Sequence, residues 1–190
     1  MERRVSAMTK FGGATTKAGL VPVAEHEMYL FHVTAEPGNP HYDPSNWRTL
    51  LEERLTEYTG VIAGVRHALP DASEIVYSPL FEVRLPRPWH SGRAVVIGDA
   101  AHAGVPHLSQ GGSQALEDAV VLADELTRYP PQEALPAFMN RRFDRARHVQ
   151  RLSSEMMVRE MAAKPSNRED LRSDLSREMA SIRAYLDRPV

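Results

Sequence analysis

Between Gly92 and Ala119 this 190-residue chain gathers most of the side chains and glycines suited to chemistry: Asp99, His102, Pro106, His107, Ser109, Gln110, Gly111, Gly112, Ser113, Glu117 and Asp118. Asp99 follows the apolar run Ala94-Val95-Val96-Ile97 and Gly98. Its carboxylate is therefore expected at the C-terminal edge of a strand, where it can accept hydrogen bonds from the hydroxyls of a sugar-like chain. Gly111 and Gly112 open a helical pattern. Free N–H groups at a helix N-terminus can hold an electron-rich carbonyl or a developing anion.

Other chemistries fit the same residues less well. His102, His107 and Asp99 are ligand types for zinc or iron, but Gly104-Val105-Pro106 makes a loop between the histidines rather than one ligand face, so no metal is expected. Ser109 and Ser113 lie in no G-x-S-x-G elbow, which argues against acyl transfer. His102 is expected as a structural hydrogen-bonding residue beneath the loop. His107 is a loop residue within reach of a proton-transfer role toward a bound ligand.

The elements that must position these groups follow from pattern and punctuation. Residues 93–97 form a short apolar run without alternation, which predicts a parallel strand covered on both faces. A helix over residues 112–128 carries Ala115, Leu116, Ala119, Leu122, Ala123 and Leu126 at helical spacing. After Pro130-Pro131 a longer helix, residues 132–163, places Leu135, Phe138, Met139, Val149, Leu152 and Met156 inward, and Pro136 is tolerable only near its first turn. Ser166-Asn167-Arg168-Glu169 is a capping box for a last helix with Leu171, Leu175, Ile182 and Leu186 inward.

Upstream, a strand over residues 3–11 and a hairpin from residues 20–23 and 28–34 precede Asp43-Pro44, which reads as an N-cap and first helical residue. Helices over 44–58 and 61–69 and strands over 74–77 and 81–85 follow. Tyr77, Phe81 and Trp89 are expected in the core rather than on a substrate face. The fold class is α+β, partly α/β, in three parts: residues 1–90, a β-sheet with a helical insert; 91–130, strand, loop and helix; and 131–190, helices.

Composition narrows the partners. With 42% hydrophobic and 25% charged residues the chain is expected to fold as a globular domain. A net charge of −2 gives no global drive toward nucleic acid or an anionic membrane, and the arginines after Arg141 are spread around helices as a solvated surface. The absence of cysteine excludes disulfides and thiolate sites. No run reaches about 18 apolar residues and no apolar stretch follows the N-terminal charges, so a cytoplasmic setting is expected.

The order of strand, Gly98-Asp99-Ala100-Ala101-His102, Pro106, the Gly111-Gly112 turn and Glu117-Asp118-Ala119 closely resembles the second flavin-binding motif of FAD-dependent aromatic-ring monooxygenases, the para-hydroxybenzoate hydroxylase-like family. More loosely, Lys17-Ala18-Gly19-Leu20-Val21-Pro22 and Tyr77-Ser78-Pro79-Leu80 resemble its substrate-domain sheet. The resemblance implies that Asp99 bonds the ribityl hydroxyls of FAD, next to Gly98. It also implies that Pro106 lies near the isoalloxazine ring, that Gln110 borders it, and that the N–H groups of Gly111, Gly112 and Ser113 face its N1–C2=O edge. His107 and Pro106 are then the groups nearest the reaction, which uses NAD(P)H and O2 on a small aromatic substrate.

Two positions depart from the pattern: Ser109 stands where many relatives have glycine, and Ser113 where they often have asparagine. The G-x-G-x-x-G unit that anchors the ADP half of FAD has no counterpart here, since Gly12-Gly13 lacks its spacing. The chain thus resembles the C-terminal part of such an enzyme. It is expected to bind FAD weakly alone and to need a complementing nucleotide-binding chain, or to act as a non-catalytic binding or dimerisation module.

Overall fold

A computed structural model describes residues 9–12, 16–38, 40–69, 74–162 and 179–189. The described residues divide into two units, one running to Pro79 and including residues 161–162, the other comprising Leu80–Glu160 with residues 179–189. Among them no helix is long and apolar enough to cross a membrane. The capping box at residues 166–169 and the positions Leu171 and Leu175 lie outside the described residues.

In the first unit, β1 (Thr9–Gly12), β2 (Thr16–Pro22) and β3 (Met28–Thr34) form an antiparallel sheet in chain order, with Leu20 opposite Thr9 and Leu30. Pro44 opens a 3-10 turn, and the Asp43 carboxylate accepts from Ser45 N–H at 2.9 Å, so the expected cap is present. α1 (Trp47–Arg54) and α2 (Val61–Ala68) follow. Leu55, Tyr58 and Ile62 from this stretch pack with Ala18 and Leu20 of β2 as the unit's core.

The structure departs from the sequence expectation in three respects, all within the second unit except at residues 74–77, which belong to the first. Residues 74–77 and 81–85 are not in strands. The second of these runs lies against the Asp99 turn instead: Val83 N–H donates to Ala103 O and Leu85 N–H to Ala101 O, both at 3.0 Å, while Val83 O accepts from the Gln150 amide. These partners satisfy the backbone without a ladder. The run at residues 93–97 is not a covered parallel strand either. β5 (Ala94–Val95) pairs antiparallel with β4 (His90–Ser91) in a minimal hairpin across Gly92, whose φ is 58°, and Val96 is 40% exposed.

The third departure is the orientation of α4 (Gly111–Arg128). Its buried residues are Gln114, Asp118, Val121 and Glu125, whereas Leu116 and Val120 are 71% and 69% exposed. Apolar spacing alone points the helix the wrong way, because the inward face is fixed by polar groups that find partners. α5 (Pro131–Ala162) supplies most of those partners and also the core: Phe138, Met139 and Ala146 pack with Trp89, Ala101 and Val121. Pro136 lies beyond the first turn of α5 yet is accommodated within it. A second cluster joins Leu108, Val149 and Met156 to Ile182, which lies inward in the helix at residues 179–186 as expected. Trp89 is buried, while Phe81 is 64% exposed and so is not core.

Candidate functional site

The site is built on the turn at Gly98. Its φ of 59° is left-handed, and a Cβ there would stand 3.1 Å from Ala115 Cβ of α4, so both backbone and contact call for glycine. The turn starts α3 (Asp99–His102), in which the N–H groups of Ala101 and His102 donate to Gly98 O at 2.9 Å. Asp99 is exposed at its first position. Its Oδ1 lies 4.0 Å from where a Cβ of Gly111 would be, so the carboxylate stands over the first residue of α4.

The start of α4 is open. Its ladder begins with Gln114 N–H donating to Gln110 O at 2.9 Å, and Gln110 makes no side-chain cap. The N–H groups of Gly111, Gly112 and Ser113 therefore precede the ladder, at the positive end of the helix dipole. All three residues are exposed, and a Cβ on Gly112 would meet nothing within 4 Å. The result is an exposed carboxylate, an acceptor, beside a row of donors.

The loop joining α3 to α4 is held from beneath by α5. The Gln150 amide donates to Ala103 O at 2.7 Å, Ser153 Oγ donates to Val105 O at 2.5 Å, and Leu108 N–H donates to Ser153 Oγ at 3.2 Å. Pro106 and Ser109 remain exposed, and Ser109 adopts φ 55°, the region that glycine takes without cost. That explains physically why glycine suits this position. His107 points the other way. Its side chain is fully buried, with Nε2 3.6 Å from Glu160 Oε2 of α5. Proton transfer at the exposed patch would need the ring to leave that position.

Beneath the turn lies a buried polar network. His102 Nε2–H donates to Asp118 Oδ2 at 2.6 Å, and the same oxygen accepts the Gly98 N–H at 2.8 Å. Arg142 Nε–H donates to Asp118 Oδ1 at 2.7 Å, its Nη2 reaches Gln114 Oε1 at 2.9 Å, and its Nη1 pairs with Glu117, which also pairs with Arg145. Burial pushes the Asp118 carboxyl up. The hydrogen bonds from His102, Gly98 and Arg142 outweigh it and hold the group below the usual carboxylate range.

Of the residues expected from sequence, Asp99, Gly98 and the Gly111-Gly112-Ser113 start of α4 come together, with Gln110 half-buried at the junction. His102 is the hydrogen-bonding residue beneath the loop that was expected. Arg142 is not a surface arginine: it is fully buried. Arg142, Gln114, Gln150 and Ser153 were missed. The available signal was polar residues recurring on the α4 and α5 faces that the apolar pattern left unfilled.

The family model for the FAD binding domain matches residues 5–153. YetM of Bacillus subtilis (strain 168), whose name assigns it provisionally to the FAD-dependent monooxygenases, is 38% identical over 156 residues, 81% of this chain and 42% of that protein. The 3-amino-4-hydroxybenzoate 2-monooxygenase PtmB3 of Streptomyces platensis is 37% identical over 138 residues, 70% of this chain and 34% of the relative. The crystal structure of Klebsiella pneumoniae HpxO complexed with FAD and uric acid matches with a TM-score of 0.76 at 23% identity, covering 92% of this chain and 46% of that one. The chain thus spans less than half the length of the relatives it matches. Sequence match and fold agree: the chain belongs to the FAD binding domain family and carries the para-hydroxybenzoate hydroxylase-like fold of FAD-dependent monooxygenases.

Proposed function

We propose that this chain supplies the ribityl and ring-edge part of an FAD site in a monooxygenase that hydroxylates an aromatic or related small molecule with NAD(P)H and O2, the nucleotide anchor coming from another segment or chain. The observation that carries this reading is the Asp99 carboxylate standing over Gly111 at the open N-terminus of α4. The residues fit the group. An exposed carboxylate suits hydroxyl donors, and the open space at Gly112 lets a planar ring edge approach backbone N–H groups closely. When bound, FAD supplies hydride acceptance and oxygen activation.

Asp99 then orients the ribityl chain, and Gly98 sets the angle of that carboxylate. The N–H groups of Gly111, Gly112 and Ser113 donate to the electron-rich edge and stabilise negative charge there, an effect of about 0.3–1 kcal/mol for the helix dipole at an exposed site and more once water is excluded. Gln110 borders the ring, and Pro106 offers an apolar wall without a competing N–H. A ring substrate is supported by PtmB3, named for an aminohydroxybenzoate, and by HpxO, complexed with uric acid.

The test is a flavin titration, read by visible absorbance, together with NAD(P)H oxidation, on the chain alone and mixed with a nucleotide-binding half of the same fold. Tighter flavin uptake and flavin-dependent oxidation in the mixture are expected. Flavin uptake in neither sample overturns the proposal. A second reading, that the chain acts as an interaction module, is favoured by the exposed stripe of Leu116, Ala119, Val120 and Ala123 on α4. Stable self-association without flavin binding would decide for it.

A further inference from the structure

We infer that Asp118 is a positioning residue for the flavin site, acting through Gly98 to set where Asp99 stands over the start of α4. The inference rests on the flavin reading above but names a residue to which that reading gives no role. One Asp118 oxygen holds both ends of the Asp99 segment, the Gly98 N–H before it and the His102 imidazole after it, at 2.8 and 2.6 Å. Its other oxygen is fixed by Arg142 at 2.7 Å, so the carboxylate cannot turn away.

The geometry also explains how the position is transmitted. Asp118 sits on α4, the helix whose first residue faces Asp99, and Ala115 of that helix would stand 3.1 Å from a Cβ on Gly98. The acceptor and the row of donors are therefore locked to a common support. Asp118 is fully buried, as is the Arg142 side chain, and the His102 ring lies 5.1 Å from the Trp89 ring, so water does not compete for these bonds. A group meant only to satisfy Arg142 has no need to accept from the backbone N–H of Gly98, the residue that makes the turn.

Two measurements on the full chain test this, and the first needs no flavin. In Asp118→Asn, exchange of the Gly98 amide proton should quicken by about tenfold or more, the loss expected for a hydrogen bond to a charged acceptor. Phe138 and Met139 amides in α5 should quicken only by the common factor that global stability sets. Equal acceleration at Gly98 and α5 would reduce Asp118 to a core residue and overturn the inference. Should that variant fail to fold, His102→Leu, which removes the 2.6 Å donor together with the imidazole that faces Trp89, is read in the same way at Ala101 and at position 102.

The second measurement is flavin affinity of the chain mixed with a nucleotide-binding half of the same fold, for Asp118→Asn with and without Asp99→Ala. A positioning residue weakens binding in the Asp99 background and has little effect once Asp99 is alanine. The same loss in both backgrounds contradicts the inference. Localised exchange at Gly98 with no flavin bound by any form would remove the flavin reading while leaving Asp118 as the support of the turn.

Discussion

The imidazole of His102 and the carboxylate of Asp118 meet at 2.6 Å with both side chains almost wholly removed from solvent, directly beneath the turn that exposes Asp99. A buried carboxylate of this kind is tolerable because every strong donor around it is aimed at it. The buried ion pair there is Arg142–Asp118, 2.7 Å apart, and removing Arg142 from it should cost about 3–5 kcal/mol, a large share of the roughly 5–15 kcal/mol that holds a domain folded.

A pH dependence of stability follows from the Asp118 carboxylate. The folded Asp118 is held below its ordinary value, so its contribution is complete above the unfolded carboxylate pKa of about 3.9 and is lost as pH falls through the lower folded value. Urea midpoints measured from pH 6 down to pH 3 should fall steeply in the native chain. Asp118→Asn should be less stable at pH 6 and show a shallower acid limb; an unchanged limb would place the acid sensitivity elsewhere.

His32 gives the opposite side chain the same logic. Burial lowers its pKa, with Arg54 adding to the effect, so the folded state resists protonation. Stability should be free of this penalty above the unfolded histidine value of about 6.5 and decline as pH drops below it. His32→Leu should flatten the urea-midpoint profile between pH 7.5 and 5.5. A slope retained in that variant would exonerate His32.

The two glycines of the site should respond in opposite ways. Gly98→Ala meets a left-handed φ and a 3.1 Å contact with Ala115, and should cost about 1–3 kcal/mol in urea unfolding. Gly112→Ala has open space and helical backbone, so stability should rise by about 0.5–1 kcal/mol. Flavin affinity should nevertheless fall in Gly112→Ala, because the methyl group occupies the approach to the N–H row. Unimpaired binding would move the ring edge away from Gly112.

Ser109 pays for its conformation. A non-glycine residue in the left-handed region costs about 1–2 kcal/mol, against roughly 0.5–1 kcal/mol of extra chain entropy for glycine. Ser109→Gly should therefore stabilise the chain by up to about 1 kcal/mol in thermal or urea unfolding. A loss of stability would mean that the hydroxyl makes up the difference.

How far these features were legible in sequence depended on whether local chemistry or tertiary partners decided them. The Asp43-Pro44 start, the β2–β3 hairpin and the bounds of α4 and α5 are local, and the sequence punctuation locates them to within a few residues. The face of α4 is not local. Leu116 and Val120 carry the apolar pattern, yet Gln114, Asp118 and Glu125 go inward because α5 brings Arg141 and Arg142 to meet them. Likewise, residues 93–97 have the composition of a covered strand, but only β4 pairs with them among the described residues. Asp99 and the glycines were readable because a turn and a helix start depend on neighbours in sequence. Arg142, 24 positions beyond Asp118, was not.

On the proposed reading, the exposed Asp99 and the N–H row of α4 form one flavin-binding edge. It is tested most directly by titrating FAD into the chain mixed with a nucleotide-binding half of the same fold, with and without Asp99→Ala, and following urea unfolding in parallel. Loss of hydrogen bonds to a charged acceptor predicts a Kd weakened about 10–100-fold with stability changed by no more than about 0.5 kcal/mol. An unchanged Kd in a folded Asp99→Ala variant would contradict the account.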